Sequence, residues 1–149
     1  MIHNQTSIVV KRPVTEVFDY VANLENMGKA DKMVDSMTLT TSGSLAVGST
    51  FKERRKIRGK EFNAEYTVTE LQPQKKIGWK VTGMGGQPEG SFEVEAAQGG
   101  TRLTLQTTLR TKGALRFFEA LSAGMLKKQD MALLTNMKKA MESRNIPRS

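Results

Sequence analysis

Two charges stand in a row where charge is costly. Phe51, Glu53, Arg55 and Ile57 share one face of an alternating run, and Lys52, Arg54, Lys56 and Arg58 share the other. If Phe51 and Ile57 point into a core, period-two geometry sends Glu53 and Arg55 the same way. Three readings are open. In the first, the pair sits near a strand end, where the two side chains bond each other or reach solvent, Arg55 laying its stem along apolar surface. In the second, it is a polar anchor in a mostly apolar pocket, with Arg55 facing a ligand carboxylate or carbonyl. In the third, a desolvated Glu53 acts as general base while Tyr66 or Arg55 steadies a developing enolate oxygen. A one-residue slip at a bulge would instead turn both charges outward.

The other candidate binding residues form rows rather than motifs. Tyr66, Trp79 and Phe92 are core residues if taken singly, but as a row on one concave face, with Leu105 and Phe51, they suit a pocket wall. From the last helix, Phe118, Met125 and Gln129 complete the set; methionine is a flexible gap-filler that also adapts to varied apolar ligands. Gly83 to Gly90 has no Gly-Lys-Ser/Thr before a helix, so it is a hairpin end rather than a phosphate loop.

Several chemistries are excluded. The chain has no cysteine, which removes disulfides, thiol nucleophiles and thiolate metal sites. His3 is the one histidine and reads as a surface residue, whereas zinc needs several strong N or S donors; neither metal nor cofactor is expected. No apolar run approaches the roughly 18 residues of a membrane span, and the first residues lack a basic stretch followed by an apolar one, so a cytoplasmic protein is expected. The net charge is +8, and residues 112–149 hold eight Lys and Arg against three acids. That excess reads first as a solvated helix face. Nucleic-acid modules add exposed stacking aromatics or a recognisable motif, and this sequence has neither, so no nucleic-acid partner is expected.

The elements that must position these residues follow from periodicity. Thr6 to Lys11 reads as a first strand, broken at Arg12-Pro13. Val14, Val17, Phe18, Val21 and Leu24 then recur at helical spacing, ending near Asn26 to Gly28, and Met27, Ala30, Met33 and Val34 suggest a second short helix. Met37 to Thr41 reads as a strand. From Ser49 to Arg110 alternation continues through hairpins: a turn at Gly59-Lys60, inward rows Phe62-Ala64-Tyr66-Val68, Ile77-Trp79-Val81 and Phe92-Val94-Ala96, a turn at Gly99-Gly100, and Leu103-Leu105-Thr107-Leu109. Consecutive hairpins of this kind make an antiparallel sheet with one dry face. Gly113 to Ser143 reads as one long helix, with a bend allowed at Gly124, about 45 Å at 1.5 Å per residue. Phe118, Leu121, Met125, Ala132, Met137 and Ala140 form its apolar stripe, widened by Leu115, Leu126, Leu133 and Met141, while Lys127, Lys128, Lys138 and Lys139 fall mostly opposite. The chain is expected to be a single domain over residues 1–149, with 145–149 a frayed tail.

In Pro13 to Val21 (PVTEVFDYV), Gly48 to Phe51 (GSTF), Tyr66 to Pro73 (YTVTELQP) and the terminal amphipathic helix, the chain resembles the START-like, helix-grip superfamily (SRPBCC), close to the polyketide cyclase/dehydrase and lipid-transport group. The resemblance implies an α+β helix-grip fold: a seven-stranded antiparallel sheet curved around a long C-terminal helix, two short helices after the first strand, and a cavity for an apolar small molecule. Where many relatives carry a tryptophan after the first helix, this chain has Gly28, Lys29 and Ala30. The superfamily holds carriers, receptors and cyclases, and a fold does not choose among them.

The leading expectation is therefore a protein that binds an apolar or amphipathic small molecule, lipid- or polyketide-like, between sheet and helix. The alternatives are a cyclase- or dehydratase-like enzyme using Glu53 and Tyr66, or an interaction module using the basic helix face against an acidic protein or anionic membrane surface, without stable insertion.

Overall fold

Alternation between residues 50 and 109 resolves into five strands joined by short turns, and pairing across them settles the inward face. The computed structural model describes residues 1–83, 87–110 and 119–143, with the backbone alone at 119–122. In chain order the elements are β1 (Ile2–Val10), α1 (Val14–Ala22), α2 (Leu24–Ala30), β2 (Val34–Leu39), β3 (Thr50–Ile57), β4 (Lys60–Gln72), β5 (Lys76–Thr82), β6 (Glu89–Ala97), β7 (Gly100–Leu109) and α3 (Glu119–Ser143). The seven strands form one antiparallel sheet in the order β1-β7-β6-β5-β4-β3-β2. This is the expected α+β helix-grip arrangement. Phe118, Leu115, the stretch 113–118, the middle of the glycine loop at 84–86 and the tail at 145–149 lie outside the described residues.

Local chemistry explains where several boundaries moved. β1 begins at Ile2 rather than Thr6, because β7 offers an unbroken partner: Ile2 pairs with Leu109 and Val10 with Thr101. The polar residues before Thr6 have little strand propensity of their own, and the cross-sheet ladder overrides it. The β3–β4 turn falls on Arg58-Gly59, one residue earlier than expected, with Ile57 paired to Lys60. Both turn residues have positive φ, 52° and 79°, as a two-residue hairpin following the sheet's twist requires. The β6–β7 loop likewise falls one residue earlier, with Ala97 opposite Gly100. A bulge between Val68 and Glu70 lets Leu71 face inward again beside Ile77.

The first helical stretch is two helices meeting at Asn23, which ends α1 and caps α2 by accepting a hydrogen bond from the Glu25 amide at 3.1 Å. Met33 and Val34 are not helical. Asp31 ends α2, and its Oδ1 accepts from the Met33 amide at 2.9 Å, so the chain turns and enters β2 at Val34. Gly28 fits where α2 crosses β2: a Cβ there would lie 2.5 Å from that of Met37.

α3 rests against β1 and α2. Leu134, Met137 and Met141 are its buried apolar residues, with Leu126 and Leu133 half-buried beside them. The expected stripe is corrected here: Met125 is 57% exposed and Ala132 also faces solvent. Seven-residue steps drift on a 3.6-residue helix, and the inward face follows positions 126, 130, 133, 134, 137 and 141. That face includes Asp130. Lys138 departs from the free basic face; it bonds the Val9 carbonyl at 2.6 Å and Glu142 at 2.8 Å, while Arg12 bonds the carbonyls of Met141 and Glu142 near the helix end.

Candidate functional site

The inner face of the sheet supplies the site. Strand alternation turns Phe51, Glu53 and Arg55 inward together, as it does Tyr66 on β4, Trp79 and Val81 on β5, and Leu105 and Thr107 on β7. Because α3 lies over β1 and leans on α2, it does not cover the middle strands completely. A cavity of about 240 Å³ remains between them. Its described walls are apolar at Met27, Val34, Trp79, Val81, Leu105, Leu109, Leu126 and Leu133.

Glu53 is 1% exposed and belongs to this wall. The adjacent guanidinium grips it through one edge: Arg55 Nε donates to Oε1 at 3.0 Å and Nη2 to Oε2 at 3.1 Å. Tyr66 donates its hydroxyl to Oε2 at 3.0 Å. Arg55 Nη2 also donates to Asp31 Oδ2 at 3.2 Å, which ties β3 to the end of α2. Burial opposes the charge on Arg55, but hydrogen bonding to Glu53 and the negative charges of Glu53 and Asp31 outweigh it and hold its pKa above the ordinary value. The Tyr66 phenol is pushed far up, first by burial and then by the Glu53 charge. Both carboxylate oxygens therefore accept hydrogen bonds, one at Oε1 and two at Oε2, and two carboxylates already balance the Arg55 charge. Nη1 of Arg55 makes no hydrogen bond among the described residues.

Aromatic packing holds one wall. Trp79 lies with its ring centre 5.1 Å from that of Phe92 and 6.5 Å from that of Tyr66, tilted against both. Gly90 sits opposite Trp79 in the β5–β6 ladder. A Cβ there would meet the indole at 2.6 Å, so the missing side chain gives the ring its place.

At the far end of the cavity the inner rows turn polar, at Asn4 and Thr6 on β1 and Thr107 on β7. Asp130 reaches them from α3. It is 6% exposed and lines the cavity. Its Oδ2 accepts from Asn4 Nδ2 at 2.9 Å and from the Thr107 hydroxyl at 2.7 Å. Asn4 Nδ2 also donates to Thr6 Oγ1 at 3.0 Å, so both amide hydrogens are used. Burial raises the Asp130 pKa, and the bonds from Thr107 and Asn4 offset only part of that.

Of the residues singled out from sequence, Glu53, Arg55, Tyr66, Trp79, Leu105 and Gln129 border this cavity. Phe51 borders a separate cleft, formed with Phe18, Leu45 and Leu71. Phe92 supports Trp79 from behind and does not line the cavity, and Met125 points to solvent. Phe118 lies outside the described residues. Sequence reading missed Asp130 and Asn4. Thr107 interrupting the row Leu103-Leu105-Thr107-Leu109 was the available signal, together with Asp130 standing four residues from both Leu126 and Leu134. Among the described residues, no cluster of three or more His, Cys, Asp or Glu is arranged to hold a metal ion, and no helix is long and apolar enough to cross a membrane.

A curved antiparallel sheet holding a cavity against its last long helix defines the helix-grip class. The sequence of residues 1–142 matches the family described as polyketide cyclase / dehydrase and lipid transport, and the chain belongs to that family. A comparison with curated proteins finds no match. Solved structures with the same fold include TTHA0849 from Thermus thermophilus (14% identity, TM-score 0.77, 97% of this chain and 99% of that one). The Zhui aromatase/cyclase from Streptomyces sp. R1128 is similarly alike (15%, TM-score 0.76, 97% and 96%). The di-domain ARO/CYC StfQ of the steffimycin biosynthetic pathway matches over half its length (14%, TM-score 0.78, 96% and 51%). At these identities the likeness establishes the fold.

Proposed function

We propose that this protein binds an apolar or amphipathic small molecule, lipid- or polyketide-like, in the cavity between the sheet and α3. The observation carrying this reading is the cavity itself: about 240 Å³ of space, just below the usual range of roughly 300–1,000 Å³ for ligand sites, walled by aliphatic side chains and Trp79 with a few polar groups at its ends. An empty volume of this size in an apolar wall costs stability, since cavity-lining atoms lose their packing partners. Family membership supports the same reading.

Binding has more support than catalysis by Glu53 and Tyr66. The Tyr66 hydroxyl donates to Glu53, and Arg55 takes the rest of that carboxylate. A base must be free to accept a substrate proton, and an oxyanion donor must have its hydrogen free. Here both Glu53 oxygens already accept hydrogen bonds and the Tyr66 hydrogen is committed to Glu53. Nη1 of Arg55 retains hydrogens for a ligand carbonyl or hydroxyl, while a ligand carboxylate would also meet Glu53 and Asp31.

The test is titration of the full chain with N-phenyl-1-naphthylamine, an uncharged probe that brightens in apolar surroundings, together with native mass spectrometry of the purified protein. Saturable binding near one equivalent is expected, lost when Leu126→Trp fills the cavity. A clean unliganded mass together with no saturable probe binding would overturn the reading.

A further inference from the structure

The two ends of the cavity differ in a way that bears on what it holds. At one end both oxygens of Glu53 are hydrogen-bonded, to Arg55 and Tyr66, and Arg55 is balanced by two carboxylates. At the other, Asp130 is anchored through Oδ2 alone. Its Oδ1 has no hydrogen-bond partner among the described residues, and no described Lys, Arg or His pairs with it. The groups bonded to Asp130 from the strands are Asn4 and Thr107, both uncharged, and Asn4 is held in turn by Thr6. His3 points to the other face of β1, where it meets the Thr108 hydroxyl.

The lining as a whole repeats the asymmetry. Among the described residues Asp31, Glu53, Glu89 and Asp130 stand against Arg55 alone, in a chain whose net charge is +8. The other described basic residues lie outside this lining. No unpartnered side-chain oxygen among the described residues is sealed from solvent, so Oδ1 stays accessible while the rest of Asp130 is buried. A cation that enters with a hydrogen to donate is favoured there, because a charge-assisted bond in a low-dielectric site is stronger than a neutral one.

We propose that Asp130 is the recognition group for a protonated amine carried on an otherwise apolar ligand, with Asn4 and Thr107 holding its carboxylate so that Oδ1 faces the cavity. The inference rests on the ligand-binding reading above and narrows it. The cavity favours cationic amphiphiles over neutral ones and disfavours fatty-acid anions, which would bring a carboxylate to a lining already rich in them. A charge-assisted hydrogen bond of this kind is worth about a tenfold preference or more.

The experiment is displacement of N-phenyl-1-naphthylamine from the full chain at neutral pH by three ligands sharing one tail: octylamine, octanol and octanoate. Octylamine should displace the probe at a concentration about tenfold or more below octanol, and octanoate should be weakest. In Asp130→Asn the advantage of amine over alcohol should collapse, with near-UV circular dichroism confirming the fold; if that variant does not fold, Asp130→Ser is read the same way. Equal displacement by amine and alcohol in the unmodified protein, or an amine advantage that survives loss of the Asp130 charge, overturns the proposal while leaving the cavity reading intact. Failure of the probe to bind protein whose native mass is unliganded overturns both.

Discussion

Tyr66 donates its hydroxyl to Glu53 at 3.0 Å, although the β3–β4 register places Glu53 opposite Ala64 and Tyr66 opposite Phe51. The contact is a diagonal one. It exists because Ala64 is small enough to leave the carboxylate open to a phenol two residues along the neighbouring strand, within the reach of a long side chain. With Arg55 and Asp31 it forms a polar chain from β4 through β3 to the end of α2.

That chain is stabilising only while complete. Arg55→Met should destabilise the protein by about 3 kcal/mol, because it leaves Glu53 buried with only the Tyr66 hydroxyl. Paired replacement, Glu53→Leu with Arg55→Met, should recover most of the loss, since two buried ions exchanged for apolar groups are often neutral. Urea unfolding of the two single variants and the double one, compared as a cycle, checks this. A double variant no better than Arg55→Met would show that the charges contribute more than they cost.

Asp130 predicts a pH dependence of the opposite kind from an ordinary ion-paired carboxylate. Burial holds its folded pKa above the unfolded value of about 3.9. An acid shifted upward contributes stability in its protonated form; that contribution is complete below the unfolded pKa and is lost as pH rises through the folded one. Asp130→Asn, which cannot ionise, should therefore be more stable than the unmodified protein at pH 7, with the gain vanishing by pH 3. Urea midpoints at both pH values read it directly. A variant less stable at pH 7 than at pH 3, relative to the unmodified protein, would show that Asn4 and Thr107 compensate the charge fully.

Gly90→Ala tests how Trp79 is seated. The added methyl would lie 2.6 Å from the indole, so the ring must shift away from its place between Phe92 and Tyr66. Overpacking of this kind costs about 1–3 kcal/mol. Trp79 is the sole tryptophan, so its emission reports the shift without ambiguity. Unchanged emission and an unchanged urea midpoint would mean that the ring has more room than its neighbours imply.

Leu105, Trp79 and Tyr66 were legible as one inward row because side-chain direction in a strand is local, each residue's face following from its neighbours; the direction of Glu53 and Arg55 stayed open, because a one-residue slip at a bulge would have turned both outward. The same periodicity marked α1, the hairpins and the existence of the last helix. Asn4 and Asp130 were not legible. Asn4 lies in a stretch that becomes a strand only because β7, a hundred residues later, offers it a ladder. Asp130 lies on a helix whose inward face is chosen by where α3 meets β1 and α2, and an apolar stripe defines that direction only to within a residue or two. The arrangement of Arg55 with Asp31 and Glu53 likewise depends on α2 ending beside β3. Whether space remains between helix and sheet is decided by the separation of whole layers, which no stretch of sequence encodes alone. Periodicity therefore determined which side chains point toward the middle, and packing between distant elements decided that the middle is hollow and that a carboxylate stands at its far end.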